Sequence, residues 1–191
     1  MRNQILAFLL VLLSSAVGAA EPSPEGPYAP YAFLVGEWSV GPESGGAGNT
    51  IAKFRWGPGQ SYLWYAVSFV ADGAEHPHFE GMLVWNGVHK NLDMLISLDL
   101  QGGKVQEQGT LSVGADGAVV REITAYYTEG VGMIATGRPA GPGGGTTRFR
   151  QTFKAQGKDR ILTSLLRESG NGWVATFPGS DQLVMTRRPV S

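Results

Sequence analysis

Two histidines in residues 75–80 have the side-chain type and spacing that could bind a metal ion. His76 and His78 stand two residues apart, so both side chains point to the same side of an extended segment. Two ligands of one Zn²⁺ could use this spacing, and Glu80 or His89 would be the nearest third ligand. A polar hairpin connection with solvated histidines explains the same residues more simply. We therefore predict no metal and no cofactor, and keep His76 and His78 as weak metal candidates.

Several charged side chains fall in the middle of predicted strands, where charge is unusual unless it faces solvent or a polar interior. They are Glu107, Arg121, Glu122, Arg148 and Arg150. Outward-facing charges that pair across strands account for all five. In the alternative, Arg148 and Arg150 project to one side of the same strand, face a barrel lumen and hold an anionic head group.

Aromatic residues form a third set of candidates. In residues 62–70 both faces of the predicted strand are apolar, which is typical of a strand that is covered on both sides. Core packing explains most of this apolar surface, and a small pocket in a barrel mouth is the alternative. For such a pocket we predict Trp64, Tyr65, Phe69 and Trp85 as wall residues, with Arg148 and Arg150 as further ligand contacts.

The sequence contains none of the common catalytic motifs. A Gly-x-Ser-x-Gly elbow, a phosphate-binding loop, a dinucleotide fingerprint and a His-Glu-x-x-His helix are all missing, so no catalytic residue is predicted. The chain has no Cys, which excludes disulfides, thiolate metal sites and a Cys nucleophile. Lys and Arg number 15 against 16 Asp and Glu, and a net charge of −1 gives no reason to expect nucleic acid as a partner.

Gly-rich turns divide the chain into a regular series of short strands. We predict strands that begin at Gly36 and then cover residues 51–56, 61–71, 79–85, 92–98, 104–113, 118–128, 146–155, 159–168, 173–177 and 182–188. No stretch of ten or more residues has a helical period, and residues 129–145, with seven Gly and two Pro, are predicted to be mostly irregular. Antiparallel strands joined in sequence must hide their edges, and closure into a barrel does so most simply.

The first and last predicted strands carry a recognisable pair of motifs. Gly36-Glu37-Trp38, with an apolar turn before it, and the basic pair Arg187-Arg188 resemble the lipocalin-like, or calycin, superfamily. In that family a Gly-x-Trp closes one end of the barrel, and a late Arg or Lys packs on the Trp. The resemblance implies a structural signature formed by Gly36, Trp38, Arg187 and Arg188. Residues 56–59 and 80–85 look like those of exported bacterial lipocalin-like proteins of unassigned function.

The predicted fold is therefore all-β, an antiparallel meander closed into a lipocalin-like β-barrel of about ten strands. In the related nitrobindins a His near the C-terminus holds haem. The three His of this chain are His76, His78 and His89, and none lies beyond Gly145, so no haem is expected.

The N-terminus has the pattern of a secretory signal. Arg2, an apolar run over residues 5–13 and small residues at 17–20 predict a cleaved signal peptide at residues 1–20. Residues 21–30 hold four Pro and are predicted to be an extended leader, and residues 31–191 form the barrel domain. The apolar run is short for a membrane span, so we expect an exported, periplasmic or extracellular protein; an uncleaved anchor is the alternative.

Together these features predict a binding module that holds a small hydrophobic or amphipathic molecule in a barrel pocket. One alternative is a barrel-fold enzyme, an isomerase or hydrolase that acts through His78, Glu80 or a lumenal Arg–carboxylate pair. Another is a structural or interaction protein with a filled barrel. The sequence leaves the oligomeric state open.

Overall fold

The computed structural model describes residues 26–42, 49–99, 104–170 and 172–189 of the 191-residue chain. These residues form eleven strands: β1 (Gly36–Pro42), β2 (Thr50–Trp56), β3 (Leu63–Ala71), β4 (Ala74–Asn86), β5 (Asn91–Asp99), β6 (Val105–Val113), β7 (Val119–Tyr127), β8 (Gly145–Ala155), β9 (Arg160–Ser169), β10 (Gly172–Ala175) and β11 (Leu183–Arg187). Two 3-10 helices cover Gly26–Leu34 and Pro58–Gln60. No helix in the described ranges is both long and apolar enough to cross a membrane.

Ten of the strands close into one antiparallel barrel. Each strand from β1 to β9 pairs with the next along the chain, and β11 lies between β9 and β1 and completes the ring. The short β10 pairs with the second half of β9, past the end of β11, and lies outside the ring. The predicted fold, an all-β antiparallel meander closed into a barrel, is confirmed.

Strand β4 begins at Ala74, earlier than the predicted start at residue 79. The additional residues include Pro77, which normally disfavours a strand because it has no N–H to donate. The register between β3 and β4 shifts between Val67 and Ser68, so that His78 has no partner residue on β3. The bulge already interrupts the hydrogen-bond ladder beside Pro77, and the strand therefore continues through it.

One end of the barrel is filled by large side chains. The side chains with less than 2% of their surface exposed include Trp38, Phe54, Leu63, Leu83, Leu92, Leu111, Phe153 and Ile161. These residues lie where β1, β3, β5 and β9 begin and where β2, β4, β6 and β8 end. This end of the barrel is the hydrophobic core.

The 3-10 helix Gly26–Leu34 lies across this filled end. Tyr31 is buried and its hydroxyl donates to the carbonyl of Leu111 at 3.1 Å. The hydroxyl of Tyr28 donates to the carbonyl of Ser61 at 2.8 Å and accepts the N–H of Trp85 at 3.0 Å. Strands β4 and β6 and the turn before β3 are thus connected to the helix, which covers the core.

Residues 26–30 correct the prediction of an extended leader, because they belong to this 3-10 helix. A Pro-rich sequence suggested extended backbone, but the φ of about −65° that Pro imposes is also close to that of a 3-10 helix. Burial of Tyr28 and Tyr31 adds a stabilisation that composition does not reveal. The predicted signal peptide and the leader up to residue 25 lie outside the described residues.

The Gly-x-Trp and the late Arg are in contact at the filled end. The Arg187 guanidinium stacks over the Trp38 ring, with 4.2 Å between its Cζ and the ring centroid. Its Nη1 donates to the carbonyl of Val35 at 2.9 Å, and the indole N–H of Trp38 donates to the carbonyl of Leu34 at 2.7 Å. Gly36 has a φ of +135°, and a Cβ there would overlap Arg187 Nη1. Glycine therefore lets the arginine reach across the start of β1.

Arg188 lies on the other face of the sheet. Its backbone N–H donates to the carbonyl of Glu37 at 2.8 Å, and its guanidinium lies 3.9 Å from the Glu37 carboxylate and 3.8 Å from that of Glu75. The basic pair is thus divided: one arginine packs on the tryptophan and the other joins a surface ion-pair network.

We expect Gly36→Ala to lower the free energy of unfolding by roughly 2–4 kcal/mol, since it adds backbone strain and displaces Arg187 from its carbonyl. Urea denaturation measures this. The matched control is Gly172→Ala, at a φ of +150° with no atom within 4 Å of the new Cβ, which carries a similar backbone strain without the arginine contact. Equal losses in the two variants would show that the Arg187 contact contributes nothing.

Candidate ligand cavity

The other end of the barrel contains a cavity of about 350 Å³. Its walls are mostly apolar and include Val40, Ala52, Tyr65, Val67, Phe69, Phe79, Ile123, Phe149, Leu165, Leu183 and Met185. Alternate residues of β3 face inward, and their exposure rises from 0% at Leu63 to 37% at Phe69. The lumen is therefore packed at one end and open at the other.

A segment between β7 and β8 forms part of the cavity mouth. Within it the Gly130 N–H donates to the Ala140 carbonyl, and the Ala140 N–H donates to the Val131 carbonyl, at 2.9 and 2.8 Å. Val131 and Met133 pack against the core, while Ile134 lines the cavity although it is 56% exposed. The Gly-rich segment that the sequence predicted to be mostly irregular thus lies over one edge of the opening. Phe177, 45% exposed, lines it from the segment between β10 and β11.

An ion pair lies inside the barrel on the cavity wall. Arg121 of β7 is 3% exposed, and its Nη2 contacts Glu107 Oε2 of β6 at 2.5 Å. Its Nη1 donates to the Gln151 side-chain oxygen at 3.1 Å. The guanidinium also lies over the rings of Tyr65 and Phe79, at 5.0 and 5.4 Å. A carboxylate, an amide and two aromatic faces together compensate the cost of burying this charge.

The polar side chains on this wall differ in how much of their surface is exposed to the lumen. The Glu107 side chain is 18% exposed against 4% for Arg121. The Arg121 Nε is buried and has no hydrogen-bond partner among the described residues. Gln151 continues the polar strip through its amide nitrogen, which lies 3.5 Å from the Thr163 hydroxyl. The carboxylate of Glu107 is therefore the charged group most accessible to a cavity ligand.

Buried tyrosines surround the ion pair. Loss of hydration and, next, the negative charge of Glu107 raise the pKa of Tyr127 to about 12, against the lowering effect of hydrogen bonds to Thr147 and the Ile134 backbone. Burial also raises the pKa of Tyr65, and the Arg121 charge partly offsets this. Both phenols therefore stay neutral at physiological pH, so neither adds a charge beside the ion pair.

His78 lies at the rim of the cavity. Its ring centroid is 4.8 Å from that of Phe69, and its Nδ1 is buried with no hydrogen-bond partner in the described part of the chain. His76 pairs in register with Phe69 and is exposed. Among the described residues no group of three or more His, Cys, Asp or Glu could hold a metal ion. The two weak metal candidates thus have no third ligand there.

The four predicted aromatic wall residues lie in two different places. Tyr65 and Phe69 line the cavity. Trp64 points to the outer face, where the Arg55 guanidinium lies 5.5 Å from its ring. Trp85 packs against the filled end of the barrel. Because side chains alternate along β3, Tyr65 points into the lumen and its neighbour Trp64 points outward. Trp85 lies near the end of β4, which is at the filled end of the barrel and away from the cavity.

Arg148 and Arg150 lie on the outside of the barrel, which corrects the alternative that they face the lumen. Arg148 bonds the Glu168 carboxylate at 2.7 Å, and the Arg150 Nε bonds that of Glu122 at 2.8 Å. Both guanidinium groups lie near the Trp173 ring, at 5.7 and 4.4 Å. Between them, Phe149 points into the cavity, and alternation therefore turns its neighbours outward.

Arg121 and Glu107 are the charged cavity residues that sequence reasoning assigned to the wrong face. The alternation of residues along β7 indicates that Arg121 points inward. Arg121 shares its strand face with Val119, Ile123 and Tyr127, which are all buried. Where one face of a strand is clearly apolar, the position of a charged residue on that face predicts its direction better than the general expectation that a charge faces water.

Two comparisons with known proteins found no match to this chain. No protein-family model matches the chain. A search of curated proteins also finds no significant match. The cavity and its ion pair therefore carry the functional argument.

We expect Arg121→Met to lower the free energy of unfolding by roughly 3–5 kcal/mol, because it leaves Glu107 buried without its partner. The double variant Glu107→Gln with Arg121→Met should lose less than the single one. Glu168→Gln, which breaks an exposed pair, serves as the control and should cost less than about 1 kcal/mol. A double variant as unstable as the sum of its parts would contradict this account.

Alkaline pH should destabilise the protein through Tyr127. Its pKa is raised on folding, so its stabilisation is complete below the unfolded value of about 10 and declines as pH rises toward 12. The loss at pH 11 is about 1.4 kcal/mol. Urea denaturation at pH 9 and 11 tests this, and Tyr127→Phe should show a smaller pH dependence. An unchanged pH dependence in that variant would contradict the assignment.

Proposed function

We propose that this chain is an exported lipocalin-like protein that binds a small hydrophobic or amphipathic molecule in its barrel cavity. The observation that carries this proposal is the difference between the two ends of the barrel. Large side chains pack one end, whereas the other end keeps a cavity of about 350 Å³ beneath a partly exposed apolar mouth. Cavities of this size and lining are typical of small-molecule sites.

The size of the cavity limits the ligand. At about 30 Å³ for each water-sized group, the cavity holds roughly a dozen non-hydrogen atoms. Burial of an apolar body against Val67, Phe79 and Phe149 supplies a binding energy of about 25 cal/mol per Å² removed from water. A short-chain or compact ligand fits this space better than a long lipid.

The lipocalin-like assignment is supported by the filled end. The contact of Arg187 with Trp38, and the glycine at position 36 that permits it, have the arrangement that the family resemblance implies. The secretory pattern of residues 1–20 supports export to the periplasm or the extracellular space.

The alternative functions have less support. Of the groups named for an enzyme, Glu80 pairs in register with Ala66 on the outer face, away from the cavity. His78 and the pair of Arg121 with Glu107 do line the cavity, but the arginine already bonds Glu107 and Gln151, and no described group is placed as a nucleophile beside it. A structural protein with a filled barrel does not need the open cavity. We therefore place ligand binding first.

Substitution of one wall residue tests the proposal. Val67 lines the cavity and is 8% exposed, so Val67→Trp should fill the lumen. We expect the neutral fluorophore 1-naphthylamine, whose size matches this capacity, to bind the unchanged protein one to one, and Val67→Trp to weaken this binding at least tenfold. Fluorescence titration of the dye measures both.

The control is Val70→Trp, on the same strand but paired with Glu75 on the outer face. It adds the same indole and should leave dye binding unchanged. A protein that fails to bind the dye, or two variants that behave alike, would refute a ligand-binding cavity.

A further inference from the structure

We infer that the ligand is electrically neutral and carries an O–H or N–H donor, so that a carboxylate-headed amphiphile is the wrong class. This inference rests on the proposed function and narrows it. It follows from the charges on the cavity wall and from which of them the lumen can reach.

The charge on the cavity wall is already balanced. Among the described residues that line the cavity, the charged side chains are Glu107 and Arg121, and they contact each other at 2.5 Å. The pair has no net charge. An anionic ligand would leave one uncompensated negative charge in a poorly hydrated lumen, and a cationic ligand would leave one positive charge, each at a considerable cost.

Arg121 has little capacity to hold an anion. Its Nη2 donates to Glu107 and its Nη1 to Gln151, while its Nε is buried. Tyr65 and Phe79 cover the guanidinium. Both bidentate geometries of a guanidinium use Nη2, which already faces the Glu107 carboxylate and, at 3.8 Å, the Met94 sulfur. A carboxylate could make two parallel bonds only by displacing one of these partners.

Glu107 offers an acceptor instead. Its Oε2 bonds Arg121, and its Oε1 accepts no hydrogen bond from the described residues. The side chain is the more exposed member of the pair. A hydroxyl or amide N–H of the ligand can donate to this oxygen without changing the charge of the cavity, and a hydrogen bond to an ionised acceptor is stronger than one between neutral groups.

The test compares ligands that share one apolar body. 1-Decanol, decan-2-one, decanoate and decylammonium each have about a dozen non-hydrogen atoms, matching the estimated capacity of the cavity. At pH 7.5 we expect 1-decanol to displace the naphthylamine dye at a concentration at least tenfold lower than either ion. Decan-2-one, which accepts but cannot donate, should be several-fold weaker than the alcohol.

A charge variant should invert this order. Glu107→Gln leaves Arg121 without its counter-charge, and decanoate should then gain at least tenfold relative to 1-decanol. Glu80→Gln makes the same substitution on the outer face and should leave the order unchanged. Near-ultraviolet circular dichroism establishes that each variant is folded.

The outcomes separate the two proposals. If the dye binds and decanoate competes as well as or better than 1-decanol in the unchanged protein, the neutral-ligand inference is overturned while the binding cavity stands. The same holds if folded Glu107→Gln keeps the original order. If neither the dye nor any of the four ligands binds, the proposed function itself fails, and this inference fails with it.

Discussion

Closure of the barrel depends on the five residues of β11. This strand pairs with β1 on one side and β9 on the other, and without it the sheet would have two long unpaired edges. Arg187 fixes the strand at its end, since its guanidinium stacks on Trp38 and bonds the carbonyl of Val35. Once the ring is closed, every strand has an inner and an outer face, and that division decides which side chains a ligand can meet.

The two ends of the lumen differ because the inward residues differ in size and in what covers them. At one end Trp38, Phe54 and Phe153 meet under the 3-10 helix and exclude any space. Toward the other end the inward positions hold smaller residues such as Ala52 and Val67, and the strand ends are covered only in part by Ile134 and Phe177. The cavity is therefore a consequence of the order of side chains along the strands.

The ion pair of Arg121 and Glu107 has a structural cost that apolar residues would avoid, because buried pairs are often no more stabilising than a hydrophobic replacement. Its location on the cavity wall gives a reason for its presence. A pair that is satisfied within the protein presents the lumen with polarity and no net charge. The aromatic rings of Tyr65 and Phe79 hold the guanidinium against the wall and limit its contact with a ligand.

Much of the fold was predictable from the sequence, and the inner face was predictable only in part. Turn residues and alternation placed most strands within two residues of their observed ends, and edge protection predicted closure. The filled end followed from Gly36, Trp38 and Arg187. The 3-10 helix and the inward direction of Arg121 show why the other predictions were wrong.

The 3-10 helix was missed because Pro-rich sequence is compatible with both extended and 3-10 backbone, and long-range contacts such as that of Tyr31 with Leu111 decide between them. Arg121 was assigned outward because single charged residues are usually exposed. Irregular registers such as the bulge at His78 also shift alternation, which local patterns do not reveal. The volume of the cavity is a small difference between the space enclosed by the ring and the volume of the side chains within it, so no local sequence pattern predicts it.

The pairing of Trp38 with Arg187 also bears on when the protein can fold. The hydrogen bond between Arg187 and Val35 spans 152 residues, almost the whole barrel. The ring therefore cannot close on a ribosome or within a transport channel until the last strand has emerged, and long-range closure of this kind is slow. Late closure of this kind is compatible with the proposed export, because a sheet that has not yet closed can still be threaded across a membrane.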